Sequence, residues 1–176
     1  MNRLTSFPVT GSSSGFGLEV VKYALQQGDN VVATLRKPEA LIDLTSVYGS
    51  DRLLLVQLDV TRQQEILNAF TQAKSHFGHI DVVFNNAGVT LIADVEATPD
   101  AAARELFEIN FWGAVNVTRE AVRFFREENE PGRGGRLIQN SSVRGLSPLP
   151  ATGFYSATKH GLFTFYEEVP VSFIVS

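Results

Sequence analysis

Two rhythms of apolar residues alternate along the chain. Short β-branched or leucine-rich runs at 31–34, 53–58, 80–84 and from Leu137-Ile138 onward read as strands. A shorter run ending at Val9-Thr10 supplies a first strand. Between them lie stretches of helical period at 17–27, 61–77 and 99–128. In the longest, Ala103, Leu106, Phe107, Asn110, Phe111, Ala114, Val117 and Ala121 recur at three- and four-residue steps, the mark of one buried helix face. Thr98 and Pro99 read as its N-cap and first helical residue. Apolar strands separated by helices predict a parallel sheet covered on both faces. Right-handed crossovers make that sheet a doubly wound α/β fold, with its ligand crevice at the carboxyl ends of the strands. A length of 176 residues suits a single domain spanning 1–176.

Composition removes several classes of function. The net charge of −4 leaves no broad positive field for nucleic acid. The one basic cluster, Arg133-Gly134-Gly135-Arg136, reads as a solvated turn after Pro131. Absence of cysteine excludes disulfides, thiolate metal sites and cysteine nucleophiles. The first eight residues lack the apolar stretch of a secretory leader, and no apolar run is long enough to span a bilayer. The expectation is a cytoplasmic protein with neither membrane nor nucleic-acid partner.

Gly11-Ser12-Ser13-Ser14-Gly15-Phe16-Gly17 follows the first strand directly and opens a helix. A turn of this kind presents backbone N–H groups to a phosphate, aided by the helix dipole. Missing Cβ atoms let it reverse sharply and let a pyrophosphate approach the backbone. A flexible Gly/Ser linker is the plainer alternative, but the flanking strand and helix are what a phosphate turn requires.

The spacing Thr10-Gly11-x-x-x-Gly15-x-Gly17 resembles the cofactor turn of the short-chain dehydrogenases/reductases. That resemblance implies a Rossmann-like sheet and a nicotinamide dinucleotide held by Gly11, Ser13, Ser14, Gly15, Phe16 and Gly17. It also gives Asp59 to the adenine, and Asn86, in Asn85-Asn86-Ala87-Gly88, to the sheet and the adenine-side ribose. The strand that ends in Leu35-Arg36-Lys37 carries no acid for ribose hydroxyls, and Arg36 suits a 2′-phosphate. The expected cofactor is therefore NADP in preference to NAD.

Tyr155 and Lys159, four apart, share one face of a helix. With Ser142 and Asn110 they match the family's catalytic tetrad residue by residue. Hydride arriving at a carbonyl carbon leaves charge on oxygen, which needs a proton donor. An ammonium beside a phenol stabilises the phenolate and makes proton exchange easier near neutrality. The resemblance gives Tyr155 the proton, and Lys159 the tuning of that phenol and a bond to the nicotinamide ribose. It gives Ser142 the substrate oxygen, and Asn110 a water leading from Lys159 to solvent. Structurally, Ser142 could simply cap a turn and Asn110 bond a carbonyl in the core.

Leu146, Pro148, Leu149, Pro150 and Phe154 make the loop before Tyr155 apolar, favouring a hydrophobic alcohol or ketone. His76 and His79 straddle Gly78 at a helix end, where a zinc site lacks a third ligand; no metal is expected, and His160 is unassigned. Two departures from the family stand out. Pro8 falls within a central strand, so that strand should be short or distorted. After Pro170 the chain ends at Ser176, with 171–175 apolar and strand-like. The fold is expected to be incomplete on its C-terminal side, with the fifth strand an exposed edge. Two functional readings follow: an active reductase or dehydrogenase, or a catalytically silent fragment that binds cofactor weakly or pairs with another chain. A methyltransferase would leave the tyrosine–lysine pair without a task. The resemblance also allows a homodimer through the long helix and the tyrosine helix.

Overall fold

A computed structural model describes residues 5–166 and 172–174. The chain runs β1 (Ser6–Thr10), α1 (Gly15–Gln27), β2 (Asn30–Leu35), α2 (Ile42–Tyr48), β3 (Leu53–Gln57), α3 (Gln63–Phe77) and β4 (Val82–Asn85). It continues through α4 (Asp100–Phe107), α5 (Ala114–Arg123), β5 (Arg136–Asn140), α6 (Gly153–Tyr166) and β6 (Ser172–Ile174). The strands form one sheet in the order β3-β2-β1-β4-β5-β6, and every pairing is parallel. The strand order reverses between β1 and β4, so the crevice there opens above Thr10 and Asn85. This is a Rossmann-like fold with an open sheet.

Both faces are covered, which is why the strands are apolar on both sides. Val21, Ala24 and Leu25 of α1 pack on Val9, Val31, Ala33 and Phe84. On the other face, Ile66 and Phe70 of α3, Val117 and Ala121 of α5, and Leu162 of α6 pack on Val32, Val56, Val83 and Leu137. Among the described residues no helix is long and apolar enough to cross a membrane.

The structure revises several sequence expectations. β1 is neither short nor distorted: all five of its residues pair with β2. Ser6 bonds toward β4, its N–H to the Asp81 carboxylate at 3.0 Å and its carbonyl to the Asp81 N–H at 3.0 Å. Backbone alternation turns Pro8 to the same side, where the single register pair is Val9 with Phe84. The missing N–H thus loosens only the β4 seam. β5 is not an edge, since β6 pairs along it from Ile138 to Asn140. Pro170, Val171 and Val175 lie outside the described residues.

The long helix is continuous over 100–128, but widened π turns at Glu108–Gly113 and Phe124–Glu128 interrupt it. Phe107 and Phe111 on its expected face are only half-buried. Thr98 does not cap it: its hydroxyl donates to the Asp94 carbonyl at 2.8 Å, and Pro99 takes the cap position. Nor is the basic cluster merely solvated. The Arg133 side chain, 7% exposed, pairs with Asp81 at 2.8 Å and closes the segment before β5 onto the start of β4.

Candidate active site

Thr10, the last residue of β1, organises the crevice. Its hydroxyl accepts the backbone N–H groups of Asn86 at 2.9 Å and Ala87 at 3.0 Å. One side chain therefore joins the ends of the two strands that flank the switch point. Ser12 fixes the turn from below, its hydroxyl on the Val9 carbonyl at 2.7 Å and its N–H on the Thr34 carbonyl at 3.1 Å. Gly11 has φ of +68°, and a Cβ there would stand 2.9 Å from Ala87 Cα. At Gly17 a Cβ would lie 2.3 Å from the Gly11 carbonyl oxygen, so α1 begins hard against the turn. Ser14 precedes α1 without a side-chain cap bond, leaving the helix N-terminus facing the crevice. These features suit a pyrophosphate.

The crevice is a cavity of about 740 Å³ lined by this turn, by Arg36 beyond β2 and Asp59 beyond β3, and by Asn140, Tyr155 and Lys159 beside β5. Because β2 and β5 lie on opposite sides of the switch point, it is long enough to separate an adenine end from a reacting end. Burial works against the charge on Asp59, yet bonds from the Thr61 hydroxyl at 2.7 Å and N–H at 3.0 Å outweigh it. Helped by Arg62 and Arg36, they hold its carboxyl below the ordinary value.

Lys159 is 4% exposed. Burial pushes its ammonium down from 10.5 to about 8. Its Nζ reaches the Asn140 carbonyl at 3.5 Å and stands 5.9 Å from the centre of the Tyr155 ring. The sheet thus brings the glycine turn and the tyrosine–lysine pair into one cavity, although 138 positions separate Gly17 from Tyr155 in sequence, as their numbers show.

The family model described as short chain dehydrogenase matches residues 7–172. The chain belongs to the short-chain dehydrogenase family. It is 40% identical over 151 residues to an uncharacterised oxidoreductase of Schizosaccharomyces pombe, covering 86% of this chain and 49% of that one. A short-chain dehydrogenase from Streptomyces avermitilis superposes with a TM-score of 0.89 at 31% identity, over 99% of this chain and 65% of that one. A 3-ketoacyl-(acyl-carrier-protein) reductase from Brucella melitensis, complexed with NADH, gives 0.84 at 25% identity, over 93% and 67%. The chain spans about half the length of the curated relatives it matches.

Within this short-chain dehydrogenase site, the expected residues divide into those on the cavity wall and those behind it. Gly11, Ser13, Ser14, Gly15, Phe16, Arg36, Asp59, Asn86, Tyr155 and Lys159 line the cavity. Gly17, Asn110 and Ser142 do not. Asn110 sits in the first π turn, 1% exposed, with its carbonyl on the Val89 N–H and its amide on the Val89 carbonyl, both at 2.8 Å. The core-amide alternative therefore describes its contacts: it pins the loop after β4. A Cβ on Gly88 would nonetheless stand 3.2 Å from its oxygen and 3.5 Å from Lys159 Nζ, so both groups border that glycine. Ser142 accepts the Arg144 N–H at 3.2 Å and caps a short 3-10 turn.

Each histidine has a protein partner. His160 bonds the Gly145 carbonyl at 2.8 Å, His76 the Ser50 carbonyl at 2.6 Å, and His79 stands 3.1 Å from Asp81. Sequence reasoning missed Asn140, Ser141 and Ile109, all of which line the cavity. Asn140 was within reach, because it ends β5 and crevices form at strand ends.

Proposed function

We propose that this chain is an NADP-dependent oxidoreductase that transfers hydride between a nicotinamide cofactor and the hydroxyl or carbonyl of an apolar small molecule. The observation that carries this reading is the placing of Tyr155 and the buried Lys159 in the same cavity as the glycine turn. When bound, the nicotinamide supplies or accepts the hydride. Tyr155 holds the proton that the substrate oxygen gains or loses, and Lys159 stabilises the charge left on the phenol. Ser142 is assigned to the substrate oxygen, and Asn110 to holding the loop and a water beside Lys159. The backbone of 11–17 takes the pyrophosphate, and Asp59 with the residues after it takes the adenine. Arg36, exposed at the cavity wall, supports NADP because a guanidinium matches the oxygens of a 2′-phosphate.

An assembled site in which turn, tyrosine and lysine already converge favours an enzyme over a silent fragment. The same reading places the protein in the cytoplasm as one domain, and its homodimer through the long helix and α6 can be checked by sedimentation. Titration of NADPH and NADH by fluorescence, followed by turnover on a panel of apolar ketones, tests the reading. Arg36→Ala should lower the NADPH-over-NADH preference by about tenfold or more. An unchanged ratio contradicts the NADP assignment; binding without turnover on any ketone contradicts the enzymatic one.

A further inference from the structure

Asn86 offers an amide whose orientation is forced. Its Nδ2 donates to the carbonyls of Thr10 at 2.9 Å and Gly11 at 3.4 Å, so a flipped amide would set oxygen against two oxygens. The Asn86 side chain is also packed tightly, because a Cβ on Gly17 would lie 2.7 Å from that same Nδ2. Its Oδ1 therefore points away from the turn and needs a donor. Asn140 supplies one, with its Nδ2 at 2.9 Å. The main chain of Asn140 meets the other half of the site: its carbonyl accepts Lys159 Nζ at 3.5 Å and Gln139 Nε2 at 2.9 Å. One residue at the end of β5 thus touches the clamp of the glycine turn through its side chain and the buried ammonium through its backbone.

The geometry points to Asn140 as a positioning residue for the dinucleotide, which fixes the amide of Asn86 and, through it, the carbonyls of the glycine turn. This rests on the assignment of the cavity to a nicotinamide dinucleotide. Asn140 acts by donating one N–H bond, which leucine of similar size cannot do. Without it, the Asn86 oxygen is left beside β5 without that donor, and the amide is free to pull off Thr10 and Gly11. The turn then samples conformations that do not fit a pyrophosphate, so cofactor affinity falls while Tyr155 and Lys159 stay in place.

NADPH dissociation constants for the full chain, its Asn140→Leu and Asn86→Ala variants and the double variant test this by fluorescence titration. Asn140→Leu should bind about tenfold more weakly. The double variant should match Asn86→Ala within about twofold, because the Asn140 amide acts on the turn through Asn86. Asn140→Ser, which shortens the side chain, covers the case in which the leucine variant does not fold, and should weaken binding similarly. Wild-type affinity in Asn140→Leu overturns the proposal, as does a double variant whose losses multiply. A native chain that binds neither NADPH nor NADH overturns the cofactor assignment itself, and this inference with it.

Discussion

At and just behind the floor of the cavity, Thr10, Gly11, Gly17 and Asn86 hold one another through bonds of 2.9 to 3.4 Å and backbone contacts too close for a Cβ. The two loops that leave the cavity wall after Thr90 and Ser141 form a rim that is built otherwise. Ile92 and Val95 on one loop and Leu146 and Leu149 on the next stand in solvent, Ile92 71% and Leu146 65% exposed. A backbone bond from Ala93 to the Ala151 carbonyl at 2.8 Å ties the two loops together, and Ala151 adopts a φ of +61°. Under the proposed function the floor would meet the same dinucleotide in every turnover, and its polar groups are paired before binding. The rim would then meet the variable part of a substrate, and its apolar side chains are exposed. Mutations at the floor should therefore cost orders of magnitude, and those at the rim should redistribute preference.

Tyr155→Phe should produce the largest effect, a loss of turnover of about a thousandfold, consistent with removal of a general acid–base. NADPH affinity, measured in the same preparation, should stay within about twofold of the native value. Comparable losses in both would mean the hydroxyl belongs to the floor instead of the chemistry. Gly17→Val comes next. Its side chain would meet the Gly11 carbonyl oxygen; NADPH binding should weaken by about a hundredfold, with a lowered melting temperature. Retention of tight binding would show that the close approach is not needed.

Lys159 gives a middle-sized effect with a definite sign. Burial lowers its folded value from 10.5 to about 8. Between those values the unfolded chain binds more protons, so stability from this group rises with pH across that window and is flat below it. The difference in melting temperature between native protein and Lys159→Met, followed from pH 7 to about 10.5, should show that rise in the native protein alone. Parallel curves would mean that the ammonium is not buried in solution. The smallest effect belongs to the rim. Ile92→Ser with Leu149→Ser should change stability by less than about 0.5 kcal/mol each, as exposed substitutions do. KM for apolar ketones should rise several-fold while NADPH affinity holds; a fall in NADPH affinity would erase the distinction between floor and rim.

What was legible in the sequence follows the same division. Gly11, Gly15 and Gly17 could be read because backbone that must approach a phosphate tolerates no side chain, and that constraint is local. Tyr155 and Lys159 could be read because one helix carries both. The place of Asn140 at the end of β5 could be read, but not its partner, since the amide it holds belongs to Asn86, just past β4 and 54 positions away. Pro8 misled because the cost of a missing N–H depends on which neighbour it faces, a property of register that β1 alone does not contain. Thr98 looked like a cap by type and position, yet Asp94, four residues earlier, takes its hydroxyl. The edge was misjudged because three residues, 172–174, suffice to pair with β5 from Ile138 to Asn140.

A crystal structure of this chain with NADP bound tests the central claim most directly. The pyrophosphate should lie over residues 11–17, and the nicotinamide ribose within hydrogen-bond reach, about 3 Å, of Lys159 Nζ. The ring itself should face the Tyr155 hydroxyl across the space for a carbonyl. A dinucleotide whose ring points away from Tyr155, or that binds elsewhere on the molecule, would contradict the account.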